Sequence, residues 1–295
     1  RLWNMRDGQE IHQSQLSRRR ASAIAVSDNG RIVTADGEGS LHVIGHSAIE
    51  NRVLCENCRP SGPTLPDGSL AIAANGSRVA AIVGDVVKVW DTDSGQEIPT
   101  KIPPARYRKA ALLADGASLV TLTKSPNFAD DGRIGTIEVW PLDTHKGNPR
   151  SFRDRDVNDF AIDPAGTLVA VATELGPTLY DLKTGETRRL LAGERAAKAL
   201  DFAPDGQRLA VSGAEGSVTI WSIPNAKPLL SMQVTDREVH GLKFWPDGRA
   251  IATAFGDTIK LWDATTDQSS LTFRPNTYEN ELVISPSGQH VSFGG

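Results

Sequence analysis

Residues 201–222 read DFAPDGQRLAVSGAEGSVTIWS. An apolar strand runs into a Pro-Asp-Gly turn, a second strand leaves it, and a third, SVTIW, ends on an aromatic. Asx-Gly-type turns between apolar strands are the strongest short-range hairpin signal in a sequence. No 3.6-residue apolar spacing competes with it, and Val, Ile and Thr are dense in the strands. Outward from this stretch the same pattern returns along the chain. The turns are SDNG, AANG, LADG, DPAG, APDG, WPDG and SPSG, with glycines at 30, 76, 116, 166, 206, 248 and 288. Strands ending in an aromatic follow: VVKVW (86–90), TIEVW (136–140), PTLY (177–180), SVTIW (217–221) and TIKLW (258–262).

Two markers recurring in register about every forty residues define a repeat. Each copy predicts a short antiparallel sheet of four strands, A to D. One such sheet cannot bury both faces, whereas several packed radially can. Complete units start near residues 21, 69, 107, 157, 197 and 239; the C-terminus adds strands A and B (279–295) and the N-terminus begins with C and D (1–17). The expectation is an all-β, seven-bladed β-propeller of four-stranded antiparallel blades. It forms one domain over residues 1–295, with 1–17 and 279–295 sharing a composite blade that removes two open sheet edges. The first residue, Arg1, stands in what reads as mid-strand, so a longer parent chain is expected.

The chain resembles the WD-repeat family of β-propellers. The likeness is carried by Trp90–Asp91 and Trp262–Asp263, by Trp3, Trp140, Trp221 and Tyr180 at the same strand position, and by the Pro-Asp-Gly turns. The resemblance implies a rigid disc with D–A and B–C loops on one face and A–B and C–D turns on the other. It also implies a non-catalytic protein–protein interaction scaffold or sensor module of a larger protein. The copies depart from the family pattern. The family's Gly-His before strand A, whose histidine joins a buried network with Asp, Ser/Thr and Trp, is matched only by a misplaced Gly45–His46. The full network is therefore expected to be missing, leaving packing to hold each blade. Ile44 replaces the aromatic in the weakest copy, and a proline-rich stretch (59–68) follows it.

Composition sets the outer bounds. The chain has 295 residues, a formal net charge of −4 and a sequence pI near 5.9, which argues against bulk nucleic-acid binding. No apolar run reaches the length of a membrane-spanning helix, and two cysteines exclude a disulfide-stapled scaffold. A cytoplasmic location is expected, as is a bacterial origin from the excess of arginine over lysine and the frequent alanine. No P-loop, dinucleotide fingerprint, nucleophile elbow or zinc-protease motif is present, so no catalytic residues, metal or cofactor are assigned. Cys55 and Cys58 with His42 and His46 would suit zinc, and the CxxC pair alone would suit a redox or disulfide role, but they lie in the most irregular copy and read more simply as two bystander thiols. A propeller-type enzyme, lactonase-like or quinone-dependent, is the alternative and would require polar side chains converging on the central channel.

Charge distribution gives the binding expectation. The D–A windows hold twelve basic residues against six acidic ones, a net of +6, while the A–B and C–D turns sum to −11. Asp belongs to ordinary turn chemistry; arginine has no such role and is suited to carboxylate and phosphate. The candidate partner-binding residues are Arg18, Arg19, Arg20, Arg106, Arg108, Arg153, Arg155, Arg195 and Arg237, with Phe128 as an aromatic anchor in a long B–C loop (124–135). The expected partner is an acidic or phosphorylated protein or peptide, docking on the D–A/B–C face. Neither a membrane nor nucleic acid is the expected partner.

Overall fold

The computed structural model describes residues 2–4, 10–12, 21–36, 40–44, 52–56, 70–124, 134–142, 148–190, 196–266, 268–273, 281–285, 287–288 and 290–294. Among them every regular element is a strand, apart from one 3-10 turn at Ala214–Gly216. The terminal strands are β1 (Leu2–Asn4) and β2 (Glu10–His12). The first consecutive sheet is β3 (Ala21–Val26), β4 (Ile32–Asp36), β5 (Leu41–Ile44) and β6 (Arg52–Cys55). The second is β7 (Leu70–Ile72), β8 (Arg78–Val83), β9 (Val86–Asp91) and β10 (Glu97–Ile98). The third is β11 (Tyr107–Leu112), β12 (Ser118–Lys124), β13 (Ile134–Pro141) and β14 (Arg150–Arg155). The fourth is β15 (Val157–Ile162), β16 (Leu168–Thr173), β17 (Thr178–Asp181) and β18 (Thr187–Arg189). The fifth is β19 (Leu200–Phe202), β20 (Arg208–Ser212), β21 (Ser217–Ser222) and β22 (Lys227–Gln233). The sixth is β23 (Gly241–Phe244), β24 (Ala250–Phe255), β25 (Thr258–Asp263) and β26 (Ser269–Phe273). A further four-stranded sheet runs β2-β1-β28-β27, where β27 is Glu281–Ile284 and β28 is His290–Gly294. The chain divides into two compact units, Arg1–Arg153 with Val283–Gly295, and Asp154–Leu282.

The turn glycines do what the sequence asks of them. All seven have positive φ, from 64° to 81°, the region that costs other residues about 1–2 kcal/mol. In the first unit successive A–B turns are bonded to one another. Asn29 Nδ2 donates to Asn75 O, and Asn75 Nδ2 to Asp115 O, each at 3.0 Å. Arg31 and Arg78 donate to Gly76 O and Gly116 O at 2.8 Å.

The strand-C aromatic sets the packing. In the second sheet Trp90 pairs with Val79, in the third Trp140 with Leu119, in the fourth Tyr180 with Val169, in the fifth Trp221 with Leu209 and in the sixth Trp262 with Ile251. In the first sheet that register belongs to Val43, paired with Val33, whereas Ile44, expected there from the sequence, stands one residue beyond it against Ile32. Each of the four tryptophans packs toward the preceding sheet of its own unit. Trp90 lies with Val33 and Leu54, and Trp140 with Ile82 and Val87. Trp221 lies with Ala170 and Leu179, and Trp262 with Val218 and Ile220. Four apolar clusters thus fill the gaps between neighbouring sheets, and a buried tryptophan dominates each by area.

Part of the buried polar network expected to be missing is present. The indole N–H of Trp140 donates to Thr121 Oγ1 (3.1 Å) and that of Trp262 to Thr253 Oγ1 (3.0 Å). The acceptor lies on strand B, two residues beyond the residue paired with the tryptophan. In the fifth sheet that position is Val211, and Trp221 Nε1 is buried without a hydrogen-bond partner. Tyr180 uses another solution, donating its hydroxyl to Asp154 Oδ2 at 3.0 Å.

The Asp that follows the aromatic serves the C–D turn. Asp91 Oδ1 accepts from Ser94 N, Asp181 Oδ1 from the N–H of Lys183 and Thr184, and Asp263 Oδ1 from the N–H of Thr265 and Thr266. These bonds hold all three carboxyls below the ordinary aspartate range: the Ser94 backbone N–H at Asp91, the Thr184 backbone N–H at Asp181, and the Thr265 hydroxyl ahead of its N–H at Asp263.

Two predictions follow from the indole and turn chemistry. Thr253→Val leaves the Trp262 indole unpaired and is expected to cost about 1–3 kcal/mol. Val211→Thr supplies the acceptor that Trp221 lacks, and its own hydroxyl can reach the Thr219 carbonyl, since Thr253 donates to the equivalent Lys260 O. It is expected to gain about 0.5–1.5 kcal/mol. Urea unfolding of the two variants reads both signs, and a Val211→Thr protein weaker than the parent refutes the assignment. The turn carboxylates have depressed folded-state pKa values. Their contribution is therefore fully present above the unfolded value of about 3.9 and is lost as pH falls through the lower folded values. Replacing Asp91, Asp181 and Asp263 together by Asn should flatten the stability profile between about pH 4 and pH 2 relative to the parent; parallel profiles in acid titration would remove the role given to these groups.

Candidate interaction site

The structure redistributes the expected arginine surface. Arg18, Arg19, Arg20, Arg195 and Phe128 lie outside the described residues, as does most of the 124–135 loop. Arg106 is exposed in the segment before β11, and Arg108 is exposed on β11 itself. Arg153 and Arg155 fall within β14 rather than in a D–A loop. The strand extends one residue short of Asp156, whose φ of 54° makes the corner into β15. Sequence reasoning shortened this strand because its side chains are mostly exposed and show no apolar alternation. Arg108 and Arg153 therefore stand on opposite edge strands of one sheet, with β12 and β13 between them. At about 4.8 Å per strand that is roughly 14 Å, so they are not a single cluster. Arg153 acts on Glu138 of β13, whose carboxyl burial pushes up and whose charge the guanidinium favours.

Use separates these arginines from those at the A–B and C–D turns. Arg31 pairs with Asp93 at 2.9 Å, Arg52 donates to Asp93 O, and Arg208 pairs with Asp205 at 2.8 Å while lying over the Phe244 ring. By contrast, the exposed Arg106, Arg108 and Arg155 make no ion pair among the described residues. The charge difference read from the sequence thus overstates the acidity of the turns, where carboxylates are bonded to N–H groups or to arginine.

In the second unit the B–C turns and D–A loops form a bonded surface of their own. Glu174 and Leu175 make the turn between β16 and β17. Glu174 Oε1 accepts from Lys198 Nζ (2.9 Å) and Asn158 Nδ2 (3.3 Å). The bond from Lys198 is the main reason the carboxyl is held low. Leu175 projects from this turn, 54% exposed, with its N–H on Thr173 Oγ1. Ser212, fully buried, bonds to both Ala199 and Val239, tying two D–A loops to β20. Arg237 stands in the next loop, and its carbonyl lies 2.5 Å from where a side chain on Gly216 would begin, so residue 216 must be glycine. Glu215, Asp236, Glu238 and Asp257 are exposed on these turns beside Arg237. The described part of this surface in the second unit is therefore not basic. Leu175 escaped sequence reasoning, since a single leucine in a turn leaves no pattern.

Cys55 is disulfide-bonded, which overturns the reading of two bystander thiols. Cys58, the chain's other cysteine, lies outside the described residues. Among the described residues no group of three or more His, Cys, Asp or Glu side chains could hold a metal ion, and no helix is long and apolar enough to cross a membrane.

Comparison with known proteins agrees with this architecture. Residues 186–222 and 226–263 match the family model for "WD domain, G-beta repeat". The chain is 26% identical over 185 residues to Periodic tryptophan protein 2 of Arabidopsis thaliana, covering 60% of this chain and 19% of that protein. It is 26% identical over 190 residues to Pre-mRNA-processing factor 19 of Oryza sativa subsp. japonica, covering 60% and 36%. It is also 26% identical over 152 residues to human Angio-associated migratory cell protein, covering 50% and 35%. The matched regions are thus well under half the length of these relatives, and their sources lend no support to the bacterial origin read from composition. The two matched repeats begin on β18 and β22 and end on the Trp221 and Trp262 strands, each taking its first strand from the outer edge of one sheet and the rest from the next. Residues 186–222 and 226–263 of this sequence are thus two WD repeats.

Proposed function

We propose that the chain is a non-catalytic protein-interaction scaffold. Its sheets are read as the blades of a seven-bladed propeller, a single domain closed by the sheet that both chain ends share. The partner docks on the surface of D–A loops and B–C turns through an acidic or phosphorylated segment. The observation that carries this reading is the unengaged state of Arg106 and Arg108. Both are exposed and make no ion pair among the described residues, while arginines at the turns of the same unit are held by carbonyls and carboxylates. A guanidinium without an internal partner can form paired hydrogen bonds to an incoming carboxylate or phosphate. WD-repeat relatives support the scaffold class.

The test recovers a partner by affinity capture and then compares Arg106→Glu plus Arg108→Glu with Asp28→Lys, an exposed substitution on an A–B turn of the same unit. The arginine pair is expected to lower affinity at least tenfold and to reduce its dependence on salt, because exposed charge pairs are screened over about 10 Å at 0.1 M. If Asp28→Lys weakens binding and the arginine pair does not, the docking face is the other one.

A further inference from the structure

The second unit carries a pocket of about 360 Å³ on its A–B turn side, lined by the fourth and fifth sheets. Leu168 and Ile223 line it together with Pro164, Pro204 and Pro224. Proline has no backbone N–H, so these positions offer apolar rings without donors. Two carboxylates also line the pocket, and both are already committed. Asp163, 6% exposed, accepts from the N–H groups of Thr167 and Leu168 at 2.6 Å and from the Thr167 hydroxyl at 3.0 Å. Asp205 pairs with Arg208 at 2.8 Å and accepts from Gln207 N at 2.8 Å.

Arg188 is the exception. It stands on β18, and its Nη2 donates to Ile223 O at 2.5 Å, which fixes the guanidinium at the pocket. It makes no ion pair among the described residues, unlike its neighbour Arg189, which pairs with Asp154 at 3.4 Å. The remaining guanidinium donors have no partner among the described residues. The pocket therefore combines one positioned cation with apolar rings and neutralised carboxylates. The complementary group is a carboxylate with an apolar neighbour.

We propose that this pocket is a second docking subsite, which takes an extended peptide segment of a protein partner with a glutamate or aspartate next to an apolar residue. The acidic side chain lies on Arg188 and the apolar one between the proline rings. The pocket is open to solvent and spans two turns, which suits a chain lying across it better than a small molecule that needs enclosure. The site is separate from the D–A/B–C surface and does not depend on its role.

The probe is a pair of synthetic peptides, acetyl-Ala-Leu-Glu-Pro-Leu-Ala-amide and the same peptide with Gln for Glu, titrated into isotope-labelled protein and followed by NMR. The Glu peptide is expected to shift the resonances of Gln207 and Arg188 and to bind at least tenfold more tightly than the Gln peptide. Arg188→Gln should abolish that preference. Ala165→Tyr, which fills the pocket and leaves Arg188 in place, should remove binding of the Glu peptide without lowering the melting temperature. Equal binding of the two peptides, no pocket shifts at millimolar peptide, or full binding by a folded Ala165→Tyr protein overturns the proposal.

Discussion

The tryptophan that ends strand C, set against the sheet before it, is the contact on which each unit depends. A four-stranded sheet of forty residues cannot bury both of its faces, and its apolar side chains are stabilising only when a neighbour covers them. Trp90, Trp140, Trp221 and Trp262 fill that gap, each lying among residues of the preceding sheet. Because the ring belongs to one repeat and its apolar surroundings to another, no repeat is complete alone. This is why the third strand of each copy carries the strongest sequence signal.

The polar groups at the turns follow from that packing. Bringing sheets together places their A–B turns within bonding distance, and backbone carbonyls there need donors. Asn29, Asn75, Arg31 and Arg78 supply them in the first unit. Aspartates after the aromatic satisfy N–H groups of the C–D turns in both units. The charges are therefore largely internal solutions to backbone accounting, and a count of charged residues by loop does not measure what a partner would meet. What remains without an ion pair among the described residues, Arg106, Arg108 and Arg188 included, is a better guide to recognition than the sum.

Much of the fold was legible because it repeats. The turn glycines, the strand order within each sheet and the register of the aromatic all follow from local pattern, and the units beginning at Ala21, Tyr107 and Val157 start where the spacing predicts. Outer strands were harder to read. β14 and β18 expose most of their residues, so alternation disappears and Arg150–Arg155 resembles a loop. The indole partners were in principle readable: Thr121 and Thr253, against Val211, sit at one register position, but finding them requires knowing the pairing first. The sites were least legible. An exposed leucine on a turn and an arginine held by a carbonyl in the next sheet are products of three-dimensional neighbours and leave no periodic trace.

The turn-to-turn bonds of the first unit also bear on how the molecule ages. Both amide donors in that chain of contacts, Asn29 and Asn75, are followed by glycine. An asparagine before glycine meets little steric resistance when the next backbone nitrogen attacks its side-chain carbonyl, the first step of spontaneous deamidation. Hydrolysis of that ring at its side-chain carbonyl would put a carboxylate where the amide N–H₂ had been, facing the carbonyl oxygen it used to bond, and hydrolysis at its main-chain carbonyl would route the backbone through the side chain and displace the turn. By either route a contact that joins two repeats would be lost, without any change in the encoded sequence. The same tight Asn-Gly corners that make the repeat easy to recognise thus give the first unit a chemical clock at its turns.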